Sequence, residues 1–160
     1  MASPGRYLPP ARAEECGALS ALALRAKAYW GYDPVFIQAC REALTVNPAD
    51  VRAGRVVVLI EEDTPIGFYC LDKGERQDEA EVSLFFVEPA VISRGIGRAL
   101  WNHMTDTARS RGYKRLRIES DPFAIGFYRA IGATLSGKMR SAVPEANGAE
   151  RFLPLLHDEL

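Results

Sequence analysis

Val91-Ile92-Ser93-Arg94-Gly95-Ile96-Gly97-Arg98-Ala99-Leu100 sets two glycines one residue apart, with arginines on either side and an apolar helical pattern behind them. Glycine lets backbone approach a ligand closely because no Cβ intervenes. The first amides of a helix have no partner within it and carry partial positive charge, so such a turn can hold a phosphate or pyrophosphate. Arg94 and Arg98 would add full charges. Taken alone, the glycine pair is equally compatible with tight packing of a strand against a helix. It lacks the Lys-Ser/Thr of a P-loop and the third glycine of a dinucleotide fingerprint, which lowers both nucleotide readings.

Working outward, residues 80–87 are nearly all apolar after Glu81, which predicts a strand inside its sheet. Leu100, Trp101, Met104 and Ala108 share one helical face, Gly112 stops that helix, and Leu116-Arg117-Ile118-Glu119 alternates as a strand, completing a βαβ unit. Ala124, Ile125, Tyr128 and Ile131 begin a short helix closed by Gly132. Residues 134–139 and 152–156 read as a closing strand pair, with Pro154 suited to an edge or a bulge. On the N-terminal side, a short extended piece around Arg6-Tyr7-Leu8 precedes an amphipathic helix over 13–28. The aromatic knot Tyr29-Trp30-Gly31-Tyr32 leads into Asp33-Pro34, an N-cap and a first-turn proline, so a second helix is expected over about 34–44, with Asn47-Pro48 marking its end. Residues 56–60 and 66–71 form a predicted hairpin across Asp63-Thr64-Pro65.

The 160 residues fit a single domain over 1–160, and 48% hydrophobic and 26% charged residues with a net charge of −1 exclude a disordered or polyanion-binding chain. No nucleic-acid partner is expected. Cys16, Cys40 and Cys70 are odd in number and sit in apolar surroundings, and His103 and His157 lack ligand spacing, so buried inert thiols and no metal are expected. MASPGRYLPP has no apolar h-region and no later stretch is long enough to span a bilayer, which makes no membrane association and a cytoplasmic location the expectation. The terminal His157-Asp158-Glu159-Leu160 spells a retention address that is inert without an entry signal, and is read as coincidence.

Three stretches, in order and spacing, resemble the motifs of the GCN5-related N-acetyltransferases: Ala80-Glu81-Val82-Ser83-Leu84-Phe85-Phe86-Val87-Glu88-Pro89, the turn Arg94 to Leu100, and Asp121-Pro122-Phe123-Ala124-Ile125-Gly126-Phe127-Tyr128-Arg129-Ala130-Ile131-Gly132-Ala133. The resemblance implies an α/β (α+β) fold: a mixed, twisted central sheet of about six to seven strands, splayed at the fourth, with four main helices. It also implies acetyl-CoA in the splay as cosubstrate. The cofactor-binding residues would be Phe85, whose amide would lie near the thioester carbonyl, Phe86 and Val87 along pantetheine, then Ser93, Arg94, Gly95, Ile96, Gly97 and Arg98 around the pyrophosphate, and Asp121, Ala124 and Phe127. Two positions depart from the pattern. Ile92 stands where Gln or Arg is common, and Asp121 stands where Asn is common, removing an amide donor.

The same resemblance implies two catalytic residues. Tyr128 matches the general-acid tyrosine, and an ordinary phenol of pKa about 10 could protonate a thiolate of similar basicity. Glu81 corresponds to the strand-borne glutamate that takes the amine proton, and a carboxyl at the mouth of an apolar strand would have a raised pKa. Glu119, Glu88 and the Glu61-Glu62 pair are fallback acids. Tyr29, Trp30 and Tyr32 lie where family members usually build the acceptor pocket, although core packing explains these rings equally well. Arg109, Arg111, Lys114, Arg115 and Arg117 read mainly as a solvated helix end, with a 3′-phosphate contact as the lesser alternative.

The activity so implied is transfer of an acetyl group to a primary amine, on a small molecule or a peptide, by direct attack in a ternary complex without metal. A non-catalytic acyl-CoA sensor or regulatory module is the alternative, and a nucleotide-phosphate binder a third reading. Acceptor, acyl chain and oligomeric state stay open at this point, as does the identity of the base. A homodimer could form on the last strand if residues 152–156 are an edge.

Overall fold

The computed structural model describes residues 5–160, so the first four residues of the stretch read for a leader lie outside it. Seven strands follow in chain order: β1 (Arg6–Tyr7), β2 (Val56–Glu61), β3 (Thr64–Lys73), β4 (Glu79–Val87), β5 (Arg115–Glu119), β6 (Thr134–Arg140) and β7 (Phe152–Glu159). The helices are α1 (Cys16–Ala28), α2 (Pro34–Cys40), α3 (Pro48–Arg52), α4 (Ile96–Ser110) and α5 (Ile125–Ala130). The strands make one mixed sheet in the order β1-β2-β3-β4-β5-β7-β6. Among the described residues only β4 and β5 run parallel, joined by α4 as the crossover.

Side-chain alternation loads both faces of this sheet. Val56, Val58 and Ile60 of β2 join Phe68, Cys70 and the α1 residues Leu19, Leu22 and Ala23 on one side. Val57 and Leu59 join Tyr69 and Leu71 on the other, under Ile96, Leu100, Trp101, Met104 and Ala108 of α4. Each of the larger side chains, once fully buried, contributes roughly 1.5–3 kcal/mol relative to exposure. The run of apolar residues in β4 follows the same alternation: Ala80 and Val82 are buried in the α4-side core, with Phe85 and Val87 half-buried against it, and Leu84 and Phe86 half-buried against the α1-side core.

β4 is where the sheet opens. It pairs with β3 along its length from Ala80 to Val87, but with β5 only from Glu79 to Val82. The register against β3 shifts just there, with Leu71 opposite Val82 and Cys70 opposite Leu84, so Ser83 is an extra residue in β4. Its hydroxyl donates to the Cys70 carbonyl at 3.1 Å. A bulge bends its strand, and past it β4 diverges from β5, as the resemblance implies.

Several expectations are corrected. Residues 152–156 are not an edge: β7 lies between β5 and β6, so the premise for a homodimer there is removed, and the edge is β6, all of whose residues are exposed. Pro154 therefore sits in an interior strand. Its carbonyl accepts from the Ser120 amide at 2.9 Å, one residue beyond the end of β5, so its donorless nitrogen lies where the ladder with β5 has stopped. The second helix ends at Cys40 rather than about 44, continuing as turns. Asn47-Pro48 starts a helix instead of ending one, with Pro48 in the first turn of α3, a fifth helix beyond the four expected. His157, Asp158 and Glu159 pair with Arg117, Leu116 and Arg115 inside a ladder.

Candidate active site

A cleft of about 850 Å³ opens where β4 leaves β5, lined from one side by the turn before α4 and α5, and from the other by the end of α1 and the start of β7. The turn is strained: Ser93 and Gly95 have φ of 73° and 76°, the left-handed region that glycine enters freely and serine does not. Gly95 is the N-cap of α4 and offers no side chain to the helix; the first helical bond is from the Ala99 amide to the Gly95 carbonyl, at 3.1 Å. Among the described residues no hydrogen bond uses the amides of residues 95–98. Four donors at the mouth of a 15-residue helix thus face a cleft, the arrangement that suits a pyrophosphate.

The side chains of the turn divide. Ser93, Gly95, Gly97 and Arg98 line the cleft, whereas the Arg94 guanidinium turns away to donate to Glu61 at 3.0 Å. Ile96 buries its side chain under the sheet and can contribute only backbone. Gly97 is glycine because of Phe127: a Cβ there would lie 3.0 Å from the Phe127 Cε2 atom. Ile92 also lines the turn and adds no charge to it.

Phe85, Phe86, Val87, Asp121, Ala124, Phe127 and Tyr128 line the same cleft. Phe85 and Phe86 point to opposite faces of β4, the first against Trp101, Phe127 and Tyr128, the second against Phe68. Tyr128 is 6% exposed, and among the described residues its hydroxyl makes no hydrogen bond. Burial, aided by the negative charge of Asp121, pushes its phenol well above the ordinary value, so the expectation of an ordinary phenol is not met. Glu81 behaves as expected: burial raises its pKa, against the opposing pull of Arg117. Arg117 donates to both Glu81 oxygens at 2.9 and 3.0 Å and to Glu119 at 3.3 Å. It lies in β5, paired with Glu81 behind the cleft wall, rather than on a solvated helix end. Glu88 and Glu61 are tied up elsewhere, with Arg25 and Arg6.

On the α1 side, Tyr29 and Trp30 line the cleft and are half-exposed, with Trp30 stacked on Phe123 at 5.6 Å. Tyr32 does not line it; its hydroxyl instead donates to Asp121 at 2.9 Å. Asp121 caps the turn before α5 by accepting from the Phe123 amide at 2.8 Å, and it binds Lys27 at 2.5 Å and Arg151 at 3.5 Å. Burial alone would raise the Asp121 carboxyl, but Lys27 and these hydrogen bonds outweigh it and hold the pKa below the usual value. The departure from Asn is thus an ionic anchor joining α1, the loop after β5 and the start of β7.

Sequence reading missed Lys27 and Arg151. Lys27 falls on a buried position of an amphipathic helix, a place where lysine needs a partner, and that was the available signal; Arg151 sits in a polar stretch that carries none. Asp50, Cys70 and Asp72 are brought together away from the cleft, and the Arg55 guanidinium already pairs with both carboxylates, at 2.9 and 3.3 Å. Cys40 and Cys70 are buried, and burial raises both thiols, Cys70 to about 11. No helix is long and apolar enough to cross a membrane, among the described residues.

Comparison with known proteins yields a family and a set of related folds. The model of the acetyltransferase (GNAT) family matches residues 20–133. Over 76 residues the chain is 34% identical to the ribosomal protein bS18-alanine N-acetyltransferase of Salmonella typhimurium, a match covering 46% of this chain and 51% of that enzyme. The match therefore spans about half the length of such curated relatives. Among solved structures, the PaiA N-acetyltransferase of Thermoplasma acidophilum in complex with coenzyme A superposes with a TM-score of 0.78 at 15% identity, over 97% of this chain and 99% of that one. The ribosomal-protein-S18-alanine N-acetyltransferase of Escherichia coli gives 0.69 at 19% identity, over 96% and 93%. Likeness at this identity is likeness of fold, splayed sheet included.

Proposed function

The chain belongs to the acetyltransferase (GNAT) family, and from that premise we propose that it transfers an acetyl group from acetyl-CoA to a primary amine, with both held together in the cleft. Acetyl-CoA supplies an activated thioester. The chain's residues bind, orient and move protons. The amides of residues 95–98 and the Arg98 guanidinium hold the pyrophosphate, while the half of β4 without a β5 neighbour offers backbone groups to pantetheine and the Phe85 amide to the developing oxyanion. Phe127 and Ala124 wall this arm.

Transfer forms one C–N bond and breaks one C–S bond, so a proton must leave the amine and a proton must reach the sulfur. Glu81 takes the first, its raised pKa making it a better base than a free carboxylate, with Glu119 alongside as a second acceptor. Tyr128 serves the sulfur. Because burial keeps the phenol protonated, it acts first as a hydrogen-bond donor and releases its proton as negative charge builds on the leaving group. Tyr29 and Trp30 flank the acceptor.

The observation that carries this reading is the meeting, in one cleft, of the open half of β4 with four uncapped amides at the start of α4. Isothermal titration with acetyl-CoA, using ATP as control, tests it, followed by thiol release over a panel of amines that includes a peptide with an N-terminal alanine. Selective binding with turnover on any amine supports the reading. Absence of acetyl-CoA binding removes it, and binding without thiol release would leave a cofactor binder.

A further inference from the structure

We propose, resting on the acetyl-transfer reading, that the acceptor amine carries a carboxylate, and that Lys27 and Arg151 receive it on the α1 side of the cleft. Both side chains line the cleft while being largely withdrawn from solvent, 11% and 4% exposed. Between them stands one buried carboxylate, that of Asp121. Glu145 reaches only 3.8 Å from the Arg151 Nε and is 46% exposed, so solvent screens it. Two buried cations against one buried anion leave an excess of positive charge in a place where an uncompensated charge is strongly disfavoured.

Donor arithmetic agrees with the charge. Arg151 spends Nη2 on the Tyr32 hydroxyl at 2.9 Å and on Asp121 at 3.5 Å, and no hydrogen bond uses its Nη1 among the described residues. Lys27 has three donors and gives one, to Asp121. The rings of Tyr32 and Phe36 take part of the load, with Lys27 Nζ 5.2 Å from the first centroid and the Arg151 guanidinium 4.7 Å from the second. Those rings hold the cations in place without neutralising them. A knot built only to fasten α1 to β7 would balance its charges; this one is completed by an incoming carboxylate, which a guanidinium edge and an ammonium bind together.

The opposite end of the same arm has the opposite sign. Glu81 and Glu119 line the cleft and share a single cation, Arg117. An acceptor with an ammonium at one end and a carboxylate at the other, a free amino acid or a similar zwitterion, therefore matches both ends, whereas a polyamine or a neutral amine matches only one.

The test compares L-amino acids with their own C-terminal amides, using the full chain and saturating acetyl-CoA. Acids should exceed amides by at least tenfold in kcat/KM for the favoured side chain, and Arg151→Gln should collapse that ratio through the KM of the acid, leaving the KM for acetyl-CoA unchanged. Arg151→Lys, should Gln fail to fold, is expected to reduce the ratio and keep part of it. A second arm needs no turnover: titration of N-acetyl amino acids and their amides into the CoA-bound protein should show heat for the acid alone. Equal rates and equal binding for acid and amide would overturn the proposal and point to a peptide N-terminus, and tighter binding of an aminophosphonate than of the matched acid would overturn the carboxylate assignment. Loss of acetyl-CoA binding altogether would strike the acetyl-transfer reading instead, so the two failures are distinguishable.

Discussion

The two arms of the cleft are built from different materials. The arm beside α4 is made of backbone: a local turn of residues 93–98 whose amides need no side chain to be useful. The arm beside α1 is made of side chains from distant segments, with Lys27 and Asp121 94 positions apart and Tyr32 and Arg151 119 apart. The first arm can be read in a short stretch of sequence and resists substitution except at its glycines. The second exists only once the sheet has brought β5, β7 and α1 together, and it is held by ion pairs between buried side chains. A cofactor shared by many enzymes suits the first construction, and an acceptor particular to one suits the second.

Substitution of the buried anchor should break the side-chain arm most severely. Asp121→Asn leaves Lys27 and Arg151 facing each other without their carboxylate, and a loss of about 3–5 kcal/mol in urea-unfolding free energy is expected; an unchanged midpoint would mean that water already neutralises the cluster. Between the arms, Tyr128→Phe should lower kcat by roughly 10²-fold or more, the scale of a lost general acid, with Tm unaltered because the hydroxyl makes no hydrogen bond with the described residues. Equal losses in kcat and in acetyl-CoA affinity would turn it into a packing residue. In the backbone arm, Gly97→Glu should weaken acetyl-CoA binding about 100-fold, or roughly 2.7 kcal/mol, as read by calorimetry. Gly97→Ala, which adds only the Cβ against Phe127, should cost distinctly less; identical losses would assign the whole effect to the ring.

The mildest expectation concerns pH. Activity that needs ionised Glu81 is present above its raised pKa and fades as pH falls through it, so the acid limb of kcat/KM should lie above the value of about 4.3 for a free glutamate. Arg117 pulls that pKa down, so Arg117→Gln should move the limb upward. A limb that stays put would transfer the base to another group.

Much of the fold was legible because its signals are local. The apolar run of β4, the glycine turn, the stripe Leu100-Trp101-Met104-Ala108 and the Asp33-Pro34 start of α2 each state their structure within a few residues. Tyr128, Phe85 and Glu81 were assigned through the family resemblance of the stretches that carry them, and all three line the cleft. What stayed hidden depends on pairing. Pro154 read as suited to an edge or a bulge because the rule concerns a missing donor, and only the register shows that the β5–β7 ladder ends at the neighbouring Leu155. Asp121 read as a weakened cofactor contact, since nothing near it announces Lys27 or Arg151. Arg117 read as part of a basic surface until β5 set it across from Glu81.

The proline in β7 has a further consequence for how the cleft survives. Sheets tend to zip, and a strand with a free amide at that step would invite the chain beyond Glu119 to go on pairing, drawing Asp121 into the ladder and away from Lys27 and Arg151. With Pro154 the zipper meets a missing tooth one residue past the end of β5. An Ala at this position, by restoring the tooth, should lengthen the β5–β7 pairing at the expense of the Asp121 anchor. The loop that brings Asp121 and Phe123 to the cleft is thus freed from the sheet by the lack of a hydrogen bond that Pro154 has no hydrogen to donate.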